Sequence, residues 1–119
     1  MSANQNIELM APAGNFESLQ AAIDNGADSV YFGVEQLNMR ARASMNFVLD
    51  DLPEIAKRCS VKNIRTYLTL NTIIYDHDLS IVKTLVNKAK AANISAIIAM
   101  DQAVIAYARS AGMEVHIST

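Results

Sequence analysis

The stretch "NGADSVYF" (residues 25–32) returns in altered form as "ANISAIIA" (92–99) and "AGMEVHI" (111–117). In each, a helix end and a small turn lead into a short apolar run of the kind that forms a buried strand. Repetition of such a unit predicts βα repeats. The right-handed crossover of these repeats places their strands parallel and side by side, with the helices outside.

Reading outward from these runs, "IELM" (7–10) is a first strand, Ala11-Pro12-Ala13-Gly14 a turn, and Asn15 the cap of a first helix. That helix turns Leu19, Ala22 and Ile23 inward and stops at Asn25-Gly26, where glycine accepts the left-handed conformation. "SVYF" (29–32) is the second strand, ended by Gly33 and followed by a long loop. A second helix begins near Asp50 and Asp51, whose charges suit a helix N-terminus, and directs Leu52, Ile55, Ala56 and Cys59 to the core. "RTYLTL" (65–70) is the third strand. A third helix over about 78–92 carries Leu79, Val82, Leu85, Val86 and Ala89 on one face and leaves Lys83, Lys88 and Lys90 to solvent. "SAIIAM" (95–100) is the fourth strand, Val104, Tyr107 and Ala108 mark a short fourth helix, and "EVHI" (114–117) is the fifth strand.

Two architectures accommodate this order: a doubly wound sheet of five strands, or the first half of an eightfold barrel, whose full form takes roughly 250 residues. Ending on a strand, without a last helix, favours the barrel. The expected fold class is therefore α/β, with parallel βα repeats forming the first half of a TIM-type barrel of about five strands and four helices. Residues 1–119 form one α/β domain, a fragment of a longer barrel protein. The expected strand order is 1-2-3-4-5, not the 2-1-3-4-5 of a doubly wound sheet.

Composition narrows the function classes. The 119 residues are 51% hydrophobic and 18% charged, which supplies a core and argues against disorder. No apolar run approaches the roughly 20 residues needed to span a bilayer, and "MSANQN" lacks the features of a signal peptide, so a cytoplasmic location is expected. A net charge of −2 gives no overall pull toward nucleic acid, and any RNA contact needs a local patch. Cys59 is the one cysteine; it forms no internal disulfide, builds no metal site alone, and reads as a packed core residue. No cofactor is expected to be held within this chain.

In βα architectures the loops after the strand C-termini form the ligand face. The local patch lies in the second of these, "LNMRARASMNF" (37–47), where Arg40 and Arg42 stand between apolar residues with Asn38 beside them. Guanidinium groups offer paired donors matched to carboxylate or phosphate, so a small dicarboxylate or an RNA backbone is one reading; structural ion pairs with Glu35, Asp76 or Asp101 are the other. Asn71 ends the third strand and either orients a ligand or closes the strand locally. Asp101 and Ser118 follow the fourth and fifth strands on the same face. His116 alternates with Val115 and Ile117, so it faces away from them, toward a barrel lumen. His77 reads as helix N-terminal chemistry, and neither a phosphate loop nor a G-x-S-x-G nucleophile elbow is present.

The ordered set "ELMAPAGNFESLQAAIDNGADSVYFG", "LNMRARASMNF", "YLTLNT" and "VHIST" resembles the N-terminal barrel half of the collagenase-like peptidase family, peptidase family U, number thirty-two. The resemblance implies a barrel start and a protein that continues past Thr119 into a cysteine-bearing signature, which Cys59 does not match. It implies an enzyme, named for proteolysis and associated with oxygen-independent hydroxylation of RNA pyrimidines or quinone precursors. An iron–sulfur cluster is implied in the full-length protein, and prephenate for the RNA-modifying branch. The alternative is a non-catalytic anion-binding or structural module. The partners expected are an anionic small molecule or RNA, no membrane, and either a second copy of the chain or the missing barrel half.

Overall fold

Strands and helices alternate along the chain: β1 (Met10–Pro12), α1 (Phe16–Asp24), β2 (Ser29–Phe32), α2 (Leu52–Ser60), β3 (Arg65–Thr69), α3 (Leu79–Ala91), β4 (Ala96–Ala99), α4 (Gln102–Ser110) and β5 (Glu114–Ile117). The computed structural model describes residues 8–34, 47–70 and 79–117. The five strands form one parallel sheet in the order β1-β2-β3-β4-β5. Consecutive order makes this half of an α/β barrel. A doubly wound sheet would have placed β1 between β2 and β3.

The two faces of the sheet differ in chemistry. Val30 and Phe32, Leu68 and Leu70, Ile97 and Ala99, and Val115 alternate onto the outer face. There they pack with Leu19, Ile23, Ile55, Cys59, Leu85, Val86 and Val104 of the helices. Each fully buried aliphatic side chain contributes about 1.5–3 kcal/mol over its exposed state, so this layer holds the helices to the sheet. Thr66 also turns outward and is buried; its side chain and backbone exchange hydrogen bonds with Ser95 at 2.9 Å each way.

All four helix-to-strand turns share one construction. Each has a left-handed residue, Gly26 (φ 83°), Asn63 (60°), Asn93 (68°) or Gly112 (89°). The following residue, Ala27, Ile64, Ile94 or Met113, sends its N–H back five residues to Ala22, Cys59, Ala89 or Ala108 and buries its side chain. This is the Schellman arrangement with its apolar contact. "VKNIRTYL" (61–68) therefore belongs with the three recurring lead-ins, with Asn63 in the place of glycine.

At the N-termini, Asn15 accepts from Ser18 N–H at 2.8 Å while Ser18 Oγ accepts from Asn15 N–H at 3.2 Å, a capping box. Asp50 and Asp51 sit in a 3-10 turn, Leu49–Asp51, and α2 begins after it with Pro53 in its first turn. β1 lies later than "IELM" suggests and includes Pro12. Leu9 is instead tied to the α1–β2 turn: its N–H donates to Asp28 Oδ2 at 2.7 Å and its carbonyl accepts from Asp28 and Ser29. Proline is tolerated because β1 is an edge of this sheet.

Two of the three lysines read as solvated have partners. Lys90 Nζ donates to the Ala111 carbonyl at the end of α4, where a cation suits the helix dipole, and Lys83 lies 5.6 Å from the Tyr107 ring centroid.

Candidate functional site

The inner, lumen-side face carries the other alternate residues: Ser29 and Tyr31 of β2, Arg65, Tyr67 and Thr69 of β3, Ala96 and Ile98 of β4, Glu114 and His116 of β5. Eightfold barrels commonly fill this space with branched aliphatics. Here it is polar and charged.

Its centre is a linked group across three strands. Arg65 Nη2 donates to Glu114 Oε2 at 3.0 Å, and His116 Nε2 lies 2.6 Å from the same oxygen. The His116 ring stands 5.1 Å from the buried Tyr67 ring at 42°, and the Arg65 guanidinium lies 5.4 Å from that ring centroid. Tyr67 Oη reaches Glu8 Oε2 at 3.5 Å. Arg65 and Glu114 meet across β4, where Ala96, in register with Tyr67 on one side and Glu114 on the other, presents only a methyl and leaves room for the two long side chains to cross diagonally. The bond from His116, with the charge of Arg65 as a lesser cause, holds the Glu114 carboxyl below its ordinary range. Burial pushes the Tyr67 phenol up. Ser29, fully buried and beside Arg65 in register, has an Oγ without a hydrogen-bond partner.

His116 thus lies on the lumen side, near the C-terminal end of β5. Asp101 follows β4 and caps α4, its Oδ1 accepting from Ala103 N–H at 2.8 Å. Asn38, Arg40, Arg42, Asn71 and Ser118 lie outside the described residues. The exit of the arginine stretch is anchored: Phe47 is fully buried, edge-on to Phe16 (5.0 Å) and Phe32 (5.7 Å), with Arg58 over Phe16 at 4.6 Å. Sequence reasoning did not single out Arg65, Tyr67 or Glu114. The available signal was two-residue alternation in "RTYLTL" and "EVHI", which puts Arg65 with Tyr67 and Glu114 with His116.

Other chemistry is sparse among the described residues. Cys59 is fully buried on the helix side of the sheet, where burial pushes its thiol up to about 11. No group of three or more described His, Cys, Asp or Glu residues is placed to hold a metal ion. A groove of about 580 Å³ opens between α2 and α3, lined by Leu52, Ala56, Lys57, Lys88 and Ala91 among others; it lies in the helix layer, away from the lumen. Among the described residues no helix is long and apolar enough to cross a membrane.

The fold defines half of an α/β barrel with a polar lumen. Among solved structures, the HMG-CoA lyase of Bacillus subtilis superposes with a TM-score of 0.70 at 16% identity, covering 98% of this chain and 46% of that one, a likeness of fold. The sequence profile of Peptidase family U32 matches residues 14–119, and the chain belongs to this family. It is 54% identical to a collagenase of Porphyromonas gingivalis over 94% of the chain, and 31% identical to tRNA hydroxylation protein P1 of Bacillus subtilis over 94%. It is 28% identical to the 23S rRNA 5-hydroxycytidine C2501 synthase of Escherichia coli over 87%. The chain spans 27% of the length of the first two relatives and 16% of the third.

Proposed function

We propose that this chain is the N-terminal barrel half of an enzyme that hydroxylates pyrimidines in RNA. Similarity to proteins named for tRNA and rRNA hydroxylation supports this reading. The structural observation that fits it is the lumen face, where Arg65, Tyr67, Glu114 and His116 set charged, hydrogen-bonding and aromatic groups side by side, the kinds that recognise an unstacked base. The partners of His116 are Glu114 and Tyr67, not a serine or cysteine. Cys59 is sealed in the core as a neutral thiol, and a peptidase nucleophile needs the opposite environment. Peptide hydrolysis stays as the second reading on the strength of the 54% identity to a collagenase.

Cys59 also does not fit an iron–sulfur cluster, which takes several exposed thiolates. A cluster in the full-length protein would draw its ligands from residues outside this chain. The arginine pair is assigned to RNA: Arg40 and Arg42, with Asn38 and Asn71, contact phosphate as the strand enters the ligand face.

The test uses purified full-length protein with total RNA and with gelatin. RNA binding is expected to weaken as salt rises, and R40A/R42A to weaken it at least tenfold with an unchanged melting curve, while gelatin stays intact. Gelatin cleavage with no RNA binding would reverse the assignment.

A further inference from the structure

We propose that His116 is the lumen's hydrogen-bond acceptor for the substrate base. Glu114 holds it as the Nε2–H tautomer, so that Nδ1 offers its lone pair to a donor on the pyrimidine edge. The proposal rests on the RNA reading above. It begins from one oxygen: Glu114 Oε2 receives Arg65 Nη2 at 3.0 Å and lies 2.6 Å from His116 Nε2. An ionised carboxylate only accepts, so the proton between the two lies on Nε2, and in a neutral imidazole Nδ1 is left as the acceptor. Arg65 fixes the carboxylate from the far side, and Tyr67 backs the ring at 5.1 Å, which limits rotation of the imidazole. The side chains of His116 and Glu114, 45% and 51% exposed in this barrel half, lie on the face that the closed barrel turns into its lumen.

Position adds the second argument. His116 pairs in register with Ile98 near the C-terminal ends of the strands, where barrel enzymes bind substrate, whereas Arg65 and Glu114 start their strands, further from the mouth. The carboxylate and guanidinium thus stand behind the imidazole as positioning residues. Uracil presents N3–H and cytosine an amino group on this edge, so one acceptor serves either base.

The test pairs a spectrum with kinetics. In the 119-residue chain at a pH where the ring is neutral, ¹⁵N shifts should show His116 as the Nε2–H tautomer, and E114A should erase that preference without moving the melting midpoint. In the full-length protein acting on total RNA in an extract of a strain lacking the gene, which supplies the oxidant and oxygen donor that hydroxylation requires, H116A should raise KM about tenfold, the loss of one such bond. H116N, whose Oδ1 takes the place of Nδ1, should recover most of it. E114A should also raise KM. An Nδ1–H tautomer in the wild type, or an H116A enzyme with unchanged kinetics, overturns the proposal and leaves the RNA reading standing. H116N no better than H116A also overturns it. Wild-type protein that leaves the RNA unhydroxylated overturns the RNA reading, and this contact with it.

Discussion

At Cys59 the physics of one side chain decides its chemistry. The thiol is buried among apolar residues of α2 and the sheet, and desolvation of the thiolate raises it from an ordinary 9.0 to about 11. A raised folded-state value means the stabilising effect is complete below pH 9 and is lost as pH rises toward 11, because the unfolded chain releases its proton first. Wild type should therefore lose on the order of 2 kcal/mol more than C59A between those limits, as read from denaturant melts at each pH. A thiol reagent should label the native chain only as fast as it unfolds. The core role of Cys59 was legible from helical spacing alone. The surroundings of His116 were not: alternation put it on the inner face, but its anchor, Arg65 acting through Glu114, is 49 residues from Glu114 in sequence and meets it only across the intervening strand β4.

Among the elements, caps and turns were the most legible features because their chemistry is local. Asn15 was readable as a cap, and N15A should cost about 1 kcal/mol in a thermal or denaturant melt, since it leaves Ser18 N–H without its acceptor. Gly26 offers a cleaner test of backbone conformation: a Cβ there would meet nothing within 4 Å, so G26A should cost about 1–2 kcal/mol through its φ of 83° alone. At Gly112 the same change would also bring Cβ to 2.9 Å from Lys90 Nζ and disturb the lysine's bond to Ala111, so G112A should cost more than G26A. If the two variants melt together, Lys90 contributes nothing to the end of α4. The α2–β3 turn escaped the repeat pattern because Asn63 supplies the left-handed residue where two of its counterparts use glycine. β1 was misplaced toward the N-terminus because Pro12 argues against a strand interior, and only its place at the sheet edge removes that objection.

For the molecule as a whole, the repeat pattern made parallel βα units legible in the chain, and the structure sets their strands in sequential order. Sequence spacing could not show that the lumen is polar, because that depends on which strands become neighbours. The sheet leaves β1 and β5 as edges, with exposed Leu9, Met10 and Ile117 along them. Unpaired edges of this kind recruit other strands, so the 119-residue chain should self-associate, with a light-scattering mass that rises above one chain as concentration increases. A constant one-chain mass would show the edges to be protected. The central claim, that this barrel half serves an RNA-hydroxylating enzyme, is tested most directly by mass spectrometry of the nucleosides of total RNA from cells with and without the gene. The account predicts that a 5-hydroxypyrimidine disappears on deletion and returns with the full-length wild-type gene. An identical nucleoside profile in both strains would contradict it.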